Sequence, residues 1–312
     1  MIIVDAHCDT ITEAMDKKES LYKNGLHIDL ERLQRAGNHV QFFAAFVDPI
    51  EYKGSELLRF IRILDFFQQQ VEQYSEYITI CRSYQDIQNT LAMGRTAAIL
   101  SVENGGALQG DLSVLRMLYR LGVRSICLTW NFTNEIAAGV KNCENGVGLT
   151  AFGKAAVAEM NRLGMLVDVS HLSEKSFWDV HEVSSAPIIA SHSNSRALCC
   201  HPRNLDDEQL KAIKSGNGVI GINLYPCFLN DTGHASMDDI LRHIEHIAAV
   251  TGEDHIGLGA DFDGIECLPE GIQGIQDVDK ILERLLALNY SQQFIDKFAG
   301  ANFLRVIRQV IL

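Results

Sequence analysis

Apolar residues in this chain gather into short unbroken runs, separated by longer stretches where they recur every three or four positions. Eight runs stand out: Ile2–Ala6, Val40–Val47, Ala97–Val102, Ser125–Thr129, Met165–Val169, Pro187–Ala190, Gly218–Leu224 and Ile256–Ala260. Apolar and polar positions do not alternate within them. Each run therefore reads as a strand buried on both faces, as in a parallel sheet. The stretches between read as helices. Leu149, Phe152, Ala156, Met160 and Leu163 step by three and four, and Gly164 stops the pattern. Ile240, Ile244, Ile247 and Ala248 form another stripe, opened by Ser236 with Asp239 three residues on, a capping-box variant. Ser173–Ser185 is helix-like, and Leu57–Tyr74 is a longer helix ahead of a short strand, Tyr77–Cys81. Asp277–Leu288 and Gln292–Val310 read as two more helices.

Eight β/α units predict an α/β fold, a (β/α)8 TIM barrel. No linker-like composition interrupts the chain, so residues 1–312 are expected to form one barrel domain. A helical insertion is expected near 54–95 and C-terminal helices over 277–310. An open doubly wound sheet is the second choice, but no GxGxxG follows any strand.

Composition narrows the function classes. The 312 residues suit a single barrel, and 47% hydrophobic content supplies a full core. A formal net charge of −13 argues against a general nucleic-acid partner. The cysteines at 8, 81, 127, 143, 199, 200, 227 and 267 are scattered and form no CxxC pair. They read as buried thiols in a reducing compartment. The start, MIIVDAHCDT, has no basic n-region and no long apolar stretch, and no run reaches transmembrane length. Phe303–Leu312 is too short for a lipid-anchor signal. The expectation is a cytoplasmic protein with no membrane partner.

The chemistry lies at the strand ends, where barrel enzymes carry their active sites. Met165–Val169 and Pro187–Ala190 each run into Ser-His, giving His171 and His192. The first strand ends in His7-Cys8-Asp9, and strand alternation would put His7 and Asp9 on one side. Glu103 follows the third of the eight runs and Asp261 the last. Singly, each has a plainer reading: core histidines, a strand-end turn, a helix cap, a turn aspartate before Gly264. Together, three imidazoles and three carboxylates at one end of a barrel point to a metal site. The mixture suits zinc, with manganese, cobalt or iron also compatible. Six such groups exceed the needs of one ion and suit two sharing a carboxylate.

At this point the chain resembles the membrane (renal) dipeptidase family, zinc peptidases of the metallo-dependent hydrolase barrels. The resemblance rests on DAHCD (5–9), SVENGG (101–106), VDVSH (167–171), ASHSNSRALCCHPRN (190–204) and GLGADFDG (257–264). It implies two zinc ions per chain: His7 and Asp9 on one, His171 and His192 on the other, Glu103 bridging. It further implies Asp261 as proton carrier, Arg203 as the grip on the substrate's free carboxylate, and a homodimer. Its implied reaction is hydrolysis of a dipeptide, L- or D- at the C-terminal residue, by a metal-bridging hydroxide. One position departs from the pattern. Members similar to the vertebrate enzyme carry a pocket histidine after the Leu-Thr of the fourth strand, where this chain has Trp130-Asn131. Asn131 could donate a hydrogen bond to substrate instead, or simply cap its loop. Arg203 likewise has a second reading, pairing with Asp206 or Asp207. Two rival functions follow from the same barrel. One is another binuclear amidohydrolase, a cyclic-amide hydrolase or deaminase, although those usually open with His-x-His. The other is a non-catalytic metal-binding barrel.

Overall fold

The structure is a computed structural model and describes residues 1–141 and 146–311. Among them, nine strands form one parallel sheet: β1 (Ile3–Cys8), β2 (His39–Phe46), β3 (Ile78–Ile80), β4 (Thr96–Glu103), β5 (Val123–Cys127), β6 (Leu166–Asp168), β7 (Ile188–Ala190), β8 (Val219–Ile222) and β9 (Ile256–Leu258). β1 pairs with both β2 and β9, and β2 pairs with β4, so eight strands close in the order β1-β2-β4-β5-β6-β7-β8-β9. This is the (β/α)8 barrel read from the eight apolar runs. β3 stands outside the ring, pairing Ile78–Ile80 with residues 96–98 of β4, just ahead of the part of β4 that β5 takes. The segment between β2 and β4 holds the helix Glu56–Gln73, β3 and the helix Tyr84–Ala92.

Three strands end before the apolar runs containing them. β6, β8 and β9 stop at Asp168, Ile222 and Leu258, and past β6 and β9 the chain leaves the ladder to aim side chains at the barrel mouth. His171 and Asp261 have left-handed backbones, with φ of 67° and 63°, which no strand residue could adopt. On β1 the pairing passes from Asp5↔Gln41 to Cys8↔Phe43, so β1 carries one extra residue where His7 sits. Such a bulge re-aims a side chain. Simple alternation therefore does not hold through this segment.

The helices follow their local signals. Ser173 caps Glu174–Val183, accepting from Ser176 N–H. Asp239 accepts both the N–H and the hydroxyl of Ser236 at the start of Met237–Thr251. Gly164, left-handed at φ 75°, ends Ala151–Leu163. The last helix is not uninterrupted: Gln292–Asp296 passes through one wider turn, Lys297–Ala301, into Asn302–Val310. Gly300 in that turn lies against β1, where a Cβ would come within 2.5 Å of the Ile2 carbonyl oxygen. The widened turn lets the two elements touch.

Two apolar clusters result. The larger joins the strands to the surrounding helices. The smaller contains Val4, Val40, Phe42, Ile99, Leu166, Ile189 and Val219, from six ring strands, and continues into Val306, Ile307 and Val310 of the last helix. It fills the barrel below the site. No helix among the described residues is long and apolar enough to cross a membrane. The seven described cysteines are free thiols, with Cys8, Cys81, Cys127 and Cys199 buried. Cys143 lies outside the described residues.

Candidate metal centre and substrate cleft

Six of the eight residues singled out in the sequence meet directly at the C-terminal mouth of the barrel. His7 Nε2 lies 3.2 Å from Asp9 Oδ2, 3.3 Å from Glu103 Oε2 and 3.8 Å from Asp261 Oδ1. The other Glu103 oxygen, Oε1, is 2.9 Å from His171 Nε2, which is 2.9 Å from His192 Nε2. Glu103 thus turns one oxygen toward each histidine side. All six residues are buried.

This arrangement fits divalent metal. Three buried carboxylates surround one imidazole, and two further imidazoles face one another through their Nε2 atoms. Asp9 Oδ1 is buried without a hydrogen-bond partner among the described residues. Ligand atoms lie within 4.8 Å of one another in His7/Asp9/Asp261 and in Glu103/His171/His192. A third such trio, His7/Asp168/His192, includes a carboxylate that sequence reasoning had not put in the site.

Burial and mutual charge set the protonation states. Burial, with the Glu103 charge, pushes Asp9 well above the usual carboxylate range. Burial alone would lower His7, but the carboxylates of Asp9 and Glu103 raise it well above its ordinary value. Burial would raise Glu103, yet His7 and His171 hold it below the ordinary range. Burial and the Arg203 charge press His171 down to about 3. Burial and His7 likewise keep His192 well below its ordinary value. His171 and His192 are therefore neutral, the form that binds metal. Burial pushes Asp261 up to about 6, against the opposing pull of His7.

The backbone works to present these groups. The left-handed conformations of His171 and Asp261 are costly for residues with a Cβ. Hydrogen bonds hold them: Asp261 N–H donates to His7 O at 3.2 Å, and His171 O accepts from Val140 N–H at 2.9 Å. Gly264 is needed for close approach, since a Cβ there would come within 2.2 Å of Asp9 Oδ2 and 2.6 Å of Asp261 Oδ1.

Above the centre opens a cleft of about 230 Å³. Its lining includes Asp9, Glu103, His171, Asp261, Arg203 and Asn131, with Thr12, Glu13, Phe46, Trp130, Tyr225, Phe228, Asp263, Gly264, Ile265 and Glu266. Arg203 is the cationic side chain of this lining and is buried at 5% exposure. Burial lowers its pKa. It does not pair with the acids that follow it: Asp206 caps the next helix and lies 3.9 Å from Arg196, while Asp207 is 2.8 Å from His246. Arg203 instead donates to the His192 carbonyl at 3.3 Å and lies over the Phe228 ring, and its Nε has no partner among the described residues. Asn131 lines the cleft, but its amide oxygen is turned to His171 Nδ1 at 2.9 Å. Trp130, which follows the Leu-Thr of the fourth strand read from the sequence, packs against Phe46 with ring centroids 5.3 Å apart.

Several lining residues were not singled out in the sequence. Phe46 ends β2, a strand end carrying no ligand type and so passed over. Tyr225 and Phe228 follow β8, where the same rule of reading just past each strand would have found them. Asn223, also there, donates to Asp261 Oδ2 at 2.8 Å. Thr12 and Glu13 lie one helical turn beyond β1 and carried no such signal.

Comparison with known proteins places this geometry in a family. The description "Membrane dipeptidase (Peptidase family M19)" matches residues 1–312. A Klebsiella pneumoniae protein, described as an uncharacterized protein in the pqqA 5' region, is 36% identical over 272 residues, 84% of this chain and 97% of its own length. An uncharacterized dipeptidase of Schizosaccharomyces pombe is 34% identical over 341 residues, 99% of this chain and 80% of that one. The structure of a metallo peptidase from Rhodobacter sphaeroides, liganded with a phosphinate mimic of the dipeptide L-Ala-D-Ala, superposes with a TM-score of 0.91 at 26% identity over 99% of each chain. A dipeptidase of family M19 superposes at 0.92 with 27% identity, over 99% of this chain and 98% of that one. With the family pattern spanning its whole length and the barrel shared with solved members, this chain belongs to the membrane dipeptidase family, peptidase family M19, of metal-dependent dipeptidases.

Proposed function

We propose that this dipeptidase cuts free dipeptides, with an L- or D-residue at the C-terminal position, using two divalent ions, zinc foremost. His7 and Asp9 would hold one ion, His171 and His192 the other, and Glu103 would bridge. Support comes from the two Glu103 oxygens, which face His7 and His171 separately at 3.3 and 2.9 Å. When bound, such a pair supplies Lewis-acid polarisation and lowers the pKa of water toward about 7.

The chain's own residues do the rest. Asp261, raised to about 6, is poised to take a proton from the attacking water near neutrality and return it to the leaving amine. Asn223 on its Oδ2 leaves Oδ1 turned toward His7 and the centre. Asn131 orients His171 through Nδ1. Phe46 and Trp130 form an apolar wall that excludes water from one side of the cleft.

The observation that carries the substrate class is Arg203: a buried guanidinium, unpaired with any carboxylate among the described residues and lining an otherwise acidic cleft. Its role is to take the C-terminal carboxylate of the substrate in a charge-assisted pair. A clamp at that point fixes the scissile carbonyl one residue away, and the contact is to the carboxylate, so it tolerates either chirality. The Rhodobacter sphaeroides relative was solved with a mimic ending in D-Ala. The further acids of the lining, Glu13 and Glu266, suit the ammonium of a zwitterion. Free thiols fit the cytoplasm as the proposed location.

The test is a panel given to zinc-replete protein: dipeptides ending in L- or D-residues, the same dipeptides amidated, tripeptides, and cyclic amides. Free dipeptides of both series should be cut, and the other classes poorly. Equal cleavage of free and amidated dipeptides would contradict the clamp. Full zinc content with no turnover across the panel would favour a non-catalytic metal-binding barrel.

A further inference from the structure

The two Ser-His pairs supply histidines to the centre, yet the chemistry above uses neither Ser170 nor Ser191. Both serines converge on one buried carboxylate. Asp168 Oδ1 accepts the backbone N–H groups of Ser170 and Ser191, each at 3.0 Å. Asp168 Oδ2 accepts the Ser191 hydroxyl. The Ser191 oxygen lies 2.7 Å from His192 Nδ1. The Ser170 hydroxyl accepts from His192 N–H at 3.2 Å and lies 3.4 Å from Ser191 Oγ. Asp168, Ser170, Ser191 and His192 are all buried at 2% exposure or less, so water does not replace these bonds.

Chemistry fixes the direction of the chain. With three donors on it, Asp168 acts as a carboxylate, which only accepts. Ser191 therefore gives its proton to Asp168 and offers a lone pair to His192. His192 Nδ1 must then carry a hydrogen, which leaves Nε2 bare. Nε2 is the atom 2.9 Å from His171 Nε2 at the centre. A bare Nε2 with a bonded Nδ1–H is the ligand form of imidazole.

We propose that Asp168 is a positioning residue: acting through Ser191, it sets the tautomer and aim of His192 and so the affinity of the ion shared by His171 and His192. The inference rests on the two-ion reading above. It also gives each serine hydroxyl a place: Ser191 Oγ links Asp168 to His192 Nδ1, and Ser170 Oγ accepts the His192 N–H.

Two substitutions break the chain differently. Ser191→Ala removes the link but leaves both backbone bonds to Asp168. Asp168→Asn reverses it. The new amide N–H would donate to Ser191 Oγ, and the hydroxyl proton would then find its acceptor in His192 Nδ1. That bond favours hydrogen on Nε2, the wrong tautomer for a ligand, as when the orienting carboxylate of a catalytic triad becomes an amide. Removing the serine from that background frees the imidazole again. Asp168→Asn should therefore weaken the ion more than Ser191→Ala, and the double variant should bind it more tightly than Asp168→Asn alone.

The experiment measures zinc dissociation constants by competition with a chromophoric chelator, on metal-stripped wild type, both single variants and the double variant. Circular dichroism melting checks the fold of each. Wild type should bind two ions. One should weaken roughly 10–100-fold in Ser191→Ala and further in Asp168→Asn, the other holding within about threefold, the usual scale for lost outer-shell support. Partial recovery in the double variant separates positioning from a merely structural role, which would make the double variant worse. Unchanged constants in Ser191→Ala, or a double variant no tighter than Asp168→Asn, overturns the proposal. If Asp168→Asn does not fold, Ser191→Ala alone decides. Wild type binding fewer than two ions overturns the two-ion reading and this inference with it, so the two failures are distinguishable.

Discussion

At the residue scale the proposed function places opposite demands on Asp261 and Arg203. In that proposal Asp261 would change protonation during a cycle, and burial pushes it up to about 6. Asp261→Asn should keep the fold and most metal while kcat falls by roughly 10²–10⁴, the scale of lost general acid–base catalysis. Unchanged kcat would remove Asp261 from proton transfer, and loss of both ions would make it a ligand instead. Arg203, in the same proposal, would stay charged to meet the substrate's carboxylate. Arg203→Ala should cost about 2–5 kcal/mol in kcat/KM for a free dipeptide, the scale for truncating one partner of a buried charge pair. The loss for the amidated dipeptide should be much smaller; equal losses would show that Arg203 supports the loop and does not bind substrate. Asp261 was legible as a reactive side chain just past a strand, whereas Arg203, thirteen residues beyond the end of β7, came from the family resemblance. Asp168 was in plain view in VDVSH, but its partners are backbone N–H groups and one hydroxyl, which no spacing rule reports. The role of Asn131 depends on which way its amide turns, a tertiary fact.

The same distinction appears at the scale of elements. All eight ring strands announce themselves as predominantly apolar runs, because burial on both faces removes the alternation of polar and apolar positions. Strand ends were harder, since β6 and β9 break off ahead of left-handed residues, His171 and Asp261, with no glycine at either position to signal them. The bulge on β1 was equally silent. Loop anchorage shows only in the structure. Buried His243, on the helix Met237–Thr251, accepts Ser195 N–H on Nδ1 at 3.1 Å and donates from Nε2 to Leu229 O at 3.0 Å. It thereby ties down the loop carrying Arg203 and the short helix carrying Phe228. Accepting on Nδ1 requires the neutral ring, and burial lowers His243 to about 4. Its folded pKa lies below the unfolded value of about 6.5, so between those values the unfolded chain binds more protons and stability rises with pH. The contribution is complete above about 6.5 and is lost as pH falls toward about 4. In urea unfolding of metal-stripped protein, His243→Asn should cost about 1–3 kcal/mol at pH 8, with the deficit shrinking toward pH 4.5. A deficit independent of pH would mean that another group carries the effect.

The whole molecule is a barrel whose core is filled below and charged above. The Val4–Phe42–Ile99 cluster and the last helix supply the packed floor. Asp9, Glu103 and Asp261 crowd one buried point at the mouth, an arrangement that divalent ions would neutralise. Metal removal should therefore lower thermal stability as well as activity. Ions present at about 100 times their dissociation constant stabilise by roughly 2.7 kcal/mol each through mass action, and a melting temperature several degrees lower after chelation should recover on adding zinc. The architecture was readable from the sequence because the periodicity of strands and helices is repeated eight times. The cleft was not, because its walls come from loops of many lengths that meet only in the fold. The most direct measurement titrates metal-stripped protein with zinc while following both ion binding and hydrolysis of a free dipeptide. The account predicts saturation near two ions per chain, with turnover rising as the pair fills. Full turnover in the stripped protein, or saturation at two ions with no hydrolysis of any free dipeptide, would contradict it.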